Sequence, residues 1–273
     1  MPAAALDVRA VESLLAFWSE AGVDACYEDE SVDRLTQALR PPRTAPQALV
    51  EPAPQAAGAA PNAAADISGA IAEARRAAGA ARDLTELAAA ITAFEGCPLK
   101  REGARQAVFS RGAADAPVMI IGEAPGAEED QQGAPFVGRA GKLLDRMVAA
   151  AGLTGRVFIT NTVYWRPPGN RTPSPQEQMI CAPFLERTID LVAPRFLLLV
   201  GGASAKSVLQ RPEGILTLRG RWFDWRAEGS DQVIPALPTL HPAFLLRQPA
   251  AKKKAWADLL TLTERLERPD RPA

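Results

Sequence analysis

One histidine, one asparagine closing an apolar run, and one phenylalanine set among Gly, Pro and Arg are the residues best placed to do chemistry in this chain. His241 lies in Leu240-His-Pro-Ala-Phe-Leu-Leu-Arg-Gln-Pro249 and is the only histidine in 273 residues. A lone histidine is more often a packed structural residue, but its place at the end of an apolar run, before Pro and opposite the other polar loops, raises the odds of a functional role. Asn161 closes Val157-Phe-Ile-Thr-Asn161. Its amide sets a donor beside an acceptor, matching an adjacent N–H and C=O on a planar ring. Strand-end asparagines also cap turns. Phe136 lies in Gly133-Ala-Pro-Phe-Val-Gly-Arg-Ala-Gly141, surroundings that suit a stacking platform or, equally, a loop anchor. Gly122-Glu-Ala-Pro-Gly-Ala-Glu-Glu-Asp130 brings Glu123, Glu128 and Glu129 close together. Acids there also favour a helix N-terminus. Arg166 and Arg171, in Arg166-Pro-Pro-Gly-Asn-Arg171, can reach phosphates or brace a solvated loop. Phe244-Leu-Leu-Arg247 has the composition of a wedge that fills the gap left by an extruded base, and Lys252, Lys253 and Lys254 follow it.

These segments are placed by what precedes them. Val118–Gly122, Val157–Asn161 and Phe196–Gly201 are short, continuous apolar runs, and Ile234–Leu240 is a weaker fourth. Helical patterns at Lys142–Ala151, Pro175–Leu191 and Ala203–Leu209 separate them. Apolar strands alternating with helices predict a three-layer α/β/α fold around a mostly parallel, four-stranded sheet. Ligands bind such sheets at the carboxyl ends of the strands, where each of these polar segments begins. Residues 6–40 predict one or two helices, with apolar residues at helical spacing in Val8, Val11, Leu14, Leu15 and Trp18. Residues 41–66, rich in Ala and Pro, predict a linker, and a helical segment follows from Ile67 to Phe94. The expected domain is 67–273, with a motif-bearing core over 94–265.

Bulk properties exclude several classes. Net charge is −1, so a nucleic-acid partner must be held by a local basic patch. The three cysteines, Cys26, Cys97 and Cys181, are far apart and odd in number, which argues against a disulfide scaffold and suits a reducing cytoplasm. No apolar run is long enough to span a bilayer, and no signal-peptide pattern opens the chain. No Gly-x-Gly-x-x-Gly or Walker pattern follows the first strand, which argues against a nucleotide-binding enzyme.

Taken in order, the motifs resemble family 4 uracil-DNA glycosylases over about residues 94–265. The matching blocks are Gly122–Asp130, Gly133–Gly141, Thr160-Asn161 with Arg166–Arg171, Leu199-Val-Gly-Gly-Ala203, Leu218-Arg-Gly-Arg-Trp222 and Leu240–Arg247. The resemblance implies that Phe136 stacks on uracil and that Asn161 reads its edge. Cytosine presents the reverse donor–acceptor pattern, so a fixed amide would reject it. It implies further that His241 supports departure of the base as an anion, and that Glu123 favours the sugar cation or positions water. Asn170 matches the Asn of the Arg-Pro-Pro loop and joins the catalytic set. Glu129 falls on a pocket acid, and backbone N–H groups of the turn carrying Ala124 and Gly126 face the base. Arg166, Arg171, Leu245, Leu246 and Arg247 are the expected DNA contacts.

The family also holds a four-iron cluster on four cysteines, and here the chain departs from it. Its Cys-x-x-Cys pair reads Cys97-Pro-Leu-Lys100, and Trp165 stands where the third cysteine would precede Arg-Pro-Pro. Only Cys97 and Cys181 match ligand positions, so the expectation is no cluster, no metal and no cofactor. The expected activity is hydrolysis of the N-glycosidic bond of uracil in DNA by a cytoplasmic monomer, with residues 1–40 free to engage a protein partner. The alternative is a DNA-binding, repair-recruiting homologue that lost catalysis with its cluster.

Overall fold

The computed structural model describes residues 60–227 and 232–268. The helices expected over 6–40 lie outside the described residues. Helix α1 (Ala60–Ala80) begins within the stretch read as linker. Alanine is the best helix former, and Pro61 falls in the first turn, where its missing N–H costs nothing. The helical segment expected to Phe94 is two helices: α2 (Leu84–Ala93) starts afresh behind Asp83, whose side chain accepts from the N–H groups of Thr85 and Glu86.

The sheet has six strands where four were expected. In chain order they are β1 (Ser110–Gly112), β2 (Val118–Gly122), β3 (Val157–Asn161), β4 (Phe196–Val200), β5 (Phe223–Trp225) and β6 (Ile234–Thr239). The spatial order is β1-β3-β2-β4-β6-β5. The inner four are parallel, and β1 and β5 pair antiparallel at the two edges. Each edge strand is three residues long, too short for a period-2 signal to stand out in sequence.

Side chains alternate across the sheet, so each inner strand feeds two cores. Met119, Ile121, Leu197 and Leu199 pack with Leu185, Ile189 and Val192 of a long helix (Pro175–Val192). Val118, Ile120, Leu198 and Val200 pack on the other face with Leu144 and Val148, from the helix Arg139–Ala150, and with Leu259 and Leu262 of the C-terminal helix Lys252–Glu267. Both faces are therefore covered, as a parallel sheet requires. In chain order the helices after α2 are α3 (Ala127–Gln132), α4 (Arg139–Ala150), α5 (Pro175–Val192), α6 (Gly202–Leu209), α7 (Ile215–Leu218), α8 (Pro242–Arg247) and α9 (Lys252–Glu267). A third core joins α1, α2 and α5 around Cys97, Cys181, Trp165 and Phe184.

Candidate active site at the carboxyl edge of the sheet

Parallel register brings the polar strand ends together. Gly122 of β2 pairs with Asn161 of β3, and Val200 of β4 pairs with Thr239 of β6, two residues before His241. Glycine at 122 makes the space. A Cβ there would lie 2.4 Å from Asn161 Oδ1 and 2.5 Å from the Phe136 ring. The Phe136 ring thus lies against the strand end and the Asn161 amide. Its centroid is 5.7 Å from that of His241, with the rings tilted by 32°. Phe136, Asn161 and His241, far apart in sequence, converge as the strand-end argument requires.

Asn161 is 1% exposed, and neither its Oδ1 nor its Nδ2 has a hydrogen-bond partner in the protein. Burying an amide unpaired costs on the order of 1–3 kcal/mol for each group. A side chain held in that state, beside an aromatic ring and at a strand end, is set for a ligand with a complementary edge.

His241 caps α8, its Nδ1 accepting from Ala243 N at 3.1 Å. An accepting Nδ1 leaves the proton on Nε2, so the neutral ring presents a donor. Loss of hydration first, and the Arg247 cation second, push its pKa down to about 4 against the opposing pull of Glu129. The strand end behind it is tied down by a buried network. Thr239 Oγ1 donates to Asp258 Oδ2 at 2.7 Å, and Arg219 Nε donates to the same oxygen at 3.2 Å. Burial raises the Asp258 pKa, opposed by the bonds from Thr239 and Arg219.

The turn after β2 is braced from β3: Thr162 Oγ1 and N donate to the carbonyls of Glu123 and Gly122. Glu123 and Ala124 are half-buried there. Glu129 accepts from backbone N–H groups of two loops. Its Oε1 accepts from the N–H groups of Val137 and Gly138, both at 2.9 Å, and its Oε2 accepts from Gly126 N at 3.1 Å. The carboxylate therefore clamps the Phe136 loop to the turn, and the Gly126 N–H is occupied by it. Phe136 itself has φ 55°, a left-handed conformation costing a β-carbon residue roughly 1–2 kcal/mol.

The outer residues sort differently. Asn170 is exposed on the 3-10 turn Pro168–Asn170, outside the buried group, and its Oδ1 accepts from Arg166 Nε at 2.7 Å. Arg171 is bound by both oxygens of Glu177 and by Glu102, which makes it a brace for the loop. Leu245 is completely buried with Leu143, Leu240 and Ala255, so the helix phase turns it into the core. Leu246 is half-buried and Arg247 exposed, as are Lys252, Lys253 and Lys254 at the start of α9. Sequence reasoning missed Arg111 and Gly141. Arg111 Nε donates to Pro135 O at 2.7 Å, and a Cβ on Gly141 would meet Phe136 O at 1.7 Å. Nothing local in the sequence signals either role.

The second cluster of interest lies around the cysteines. Cys97 and Cys181 are fully buried with sulfurs 3.9 Å apart. The Cys181 thiol donates to Cys97, which favours the Cys97 thiolate, while that bond and burial hold the Cys181 proton in place. Trp165 is 1% exposed and contacts Phe94 and Tyr164. Lys100 Nζ donates to the carbonyls of Thr92 and Phe94 and to Glu95 Oε1, capping the end of α2. Two thiols in a packed apolar core do not fit a four-iron cluster, which takes four thiolates. Among the described residues no group of three or more His, Cys, Asp or Glu side chains is arranged to hold a metal. Among them, too, no helix is long and apolar enough to cross a membrane.

A sheet covered by helices on both faces, with an aromatic ring, an unpaired amide and an imidazole gathered at its carboxyl edge, defines a class. The sequence profile of the Uracil DNA glycosylase superfamily matches residues 109–260, and the chain belongs to that family. Within it, the chain is similar to the Type-4 uracil-DNA glycosylase of Pyrobaculum aerophilum, at 39% identity over 182 residues, 65% of this chain and 91% of the relative. The Type-4 uracil-DNA glycosylase of Sulfurisphaera tokodaii is 38% identical over 58% of this chain and 74% of its own. That of Thermotoga maritima is 39% identical over 55% and 77%.

Proposed function

We propose that this chain is a uracil-DNA glycosylase that hydrolyses the N-glycosidic bond of uracil in DNA, initiating base excision repair. The observation that carries the reading is the buried Asn161 amide, unpaired on both its atoms and held against the Phe136 ring. Uracil extruded from the strand stacks on Phe136 and offers Asn161 the N–H and C=O that it lacks. Cytosine offers the reverse pattern and leaves both amide groups unsatisfied. As the bond breaks, negative charge gathers on the base and positive charge on the sugar. His241, neutral at physiological pH, donates from Nε2 to the departing anion. Glu123, at the turn facing the same strand ends, supports the sugar cation or orients water. Ala124 belongs to the same turn. Arg247, Leu246 and Lys252–Lys254 form the exposed strip able to meet the phosphates and the vacated stack. Arg166 and Asn170 act together at the loop that flanks it.

The reaction as proposed runs without a cluster. Two of the four cysteine positions of the resembling family carry Lys100 and Trp165, and both side chains have packed structural jobs. Residues 1–40 are proposed as a partner-binding element, so removing residues 1–59 is expected to leave base release unchanged. The test of function is alkali-sensitive strand cleavage at uracil in a defined oligonucleotide, with a cytosine-containing control. Cleavage at uracil alone is expected. Tight binding without base release would instead establish the chain as a catalytically impaired DNA-binding homologue.

A further inference from the structure

Phe136 holds a backbone conformation that its β-carbon disfavours, so something must impose it. The peptide group joining Phe136 to Val137 is gripped at both ends by opposite charges. Its carbonyl oxygen accepts from Arg111 Nη2 at 3.1 Å, and its N–H donates to Glu129 Oε1 at 2.9 Å. The preceding peptide is held as well, with Arg111 Nε donating to Pro135 O at 2.7 Å. Asp145 on α4 accepts from the same guanidinium at 2.6 Å and fixes its plane. The α4 backbone closes over this arrangement, because residue 141 is glycine and leaves the Phe136 carbonyl room.

Arg111 comes from β1, and β1 pairs with β3 with Arg111 opposite Ile159, two residues before Asn161. One strand pair therefore carries both the group that fixes the stacking ring and the group that reads the base edge. We propose that Arg111 is a positioning residue for base recognition: with Asp145 behind it, it sets the Phe136 ring against Gly122 and Asn161. Without Arg111 the Phe136 peptide is held only through its Glu129 side, so its carbonyl can turn and the ring can shift from the amide it frames. Lysine keeps the charge but lacks a planar fork spanning two carbonyls and a carboxylate. This inference rests on the reading of Phe136 as the stacking platform.

The test is a double-mutant cycle in the full chain, read by single-turnover uracil release. The variants are Arg111→Met, Phe136→Ala and the two combined. Arg111→Met is expected to slow release by roughly tenfold to a hundredfold, the scale of loss that a displacement of about 1 Å brings. Affinity for uracil-free duplex, set by phosphate contacts, is expected to hold. In the Phe136→Ala background the Arg111→Met change is expected to have no further effect, because the ring it positions is gone. A purely structural arginine would cost the same factor in both backgrounds. Where Arg111→Met does not fold, Arg111→Lys, with a partial loss, runs the same cycle. Phe136→Ala releasing uracil at the wild-type rate overturns the stacking reading and the inference together. Phe136→Ala impaired, with the arginine variant at the wild-type rate or equally costly in both backgrounds, overturns the inference alone.

Discussion

The cluster at the carboxyl edge of the sheet and the cysteine cluster are both largely buried, aromatic and remote from the chain ends, yet they are built on opposite principles. At the strand ends, polar capacity is left open. Asn161 has no protein partner at either amide atom, and Phe136 is held out of its preferred backbone region. At the cysteines, capacity is largely used up, the buried Tyr164 hydroxyl excepted. Lys100 spends its charge on two carbonyls and Glu95, Trp165 is enclosed by other rings, and the two thiols meet each other. A region that stores unpaired groups and strain is waiting for a ligand, whereas a region that has discharged them is scaffold. Substitutions in the first should change rates, and substitutions in the second should change stability.

The largest effect is expected at His241. His241→Ala should slow single-turnover release by roughly two to three orders of magnitude, as loss of one transition-state donor does. Binding to uracil-containing DNA should change far less. Asn161→Asp should lose uracil release through its altered edge, measured beside cytosine release in the same assay. Wild-type rates for His241→Ala would move that residue to the structural side of the comparison.

Trp165→Ala sharpens the other side. Emptying a fully buried indole should cost roughly 3–5 kcal/mol in denaturant unfolding. The rate of uracil release by the fraction still folded should stay near wild type. A rate collapse in folded protein would show that the cysteine cluster reaches into the chemistry. Lys100→Met should cost less, about 1 kcal/mol, the scale of a cation at a helix C-terminus. Thermal melts beside rate measurements would separate the two.

The smallest expected effect is an absence of change. The His241 pKa lies near 4 in the fold, below the ordinary histidine value, so the ring is neutral throughout the range above it. The pH–rate profile should show no inflection near 6.5, the unperturbed histidine value, to within about half a unit. Between these two values the unfolded chain binds the proton and the folded chain does not. Stability should therefore fall as pH drops from about 6.5 towards 4. An activity inflection near 6.5 that vanished in His241→Ala would contradict the neutral-donor role.

Much of this was legible in sequence, and what was not has physical causes. The four inner strands announce themselves because burial on both faces makes them continuously apolar. The strand-end rule then sufficed to bring Phe136, Asn161 and His241 together. Edge strands β1 and β5 escaped because three residues carry no period. The roles of Arg111 and Glu129 were invisible because their partners are backbone groups of a loop, which composition does not encode. Leu245 and Leu246 looked equivalent, and only the packing of α8 decided which of them is buried. Arg171 could reach phosphates or brace its loop by sequence, and its pairing with Glu177 came only with the fold.

On the function proposed above, the strand-end cluster performs the chemistry while the cysteine region serves as scaffold. The most direct test is single-turnover uracil release by the full chain, purified and assayed under chelator, with iron measured in the same sample. The expected result is strand scission at uracil from protein lacking stoichiometric iron. Release that tracks iron content, at about four irons per active chain as a four-iron cluster requires, would contradict it.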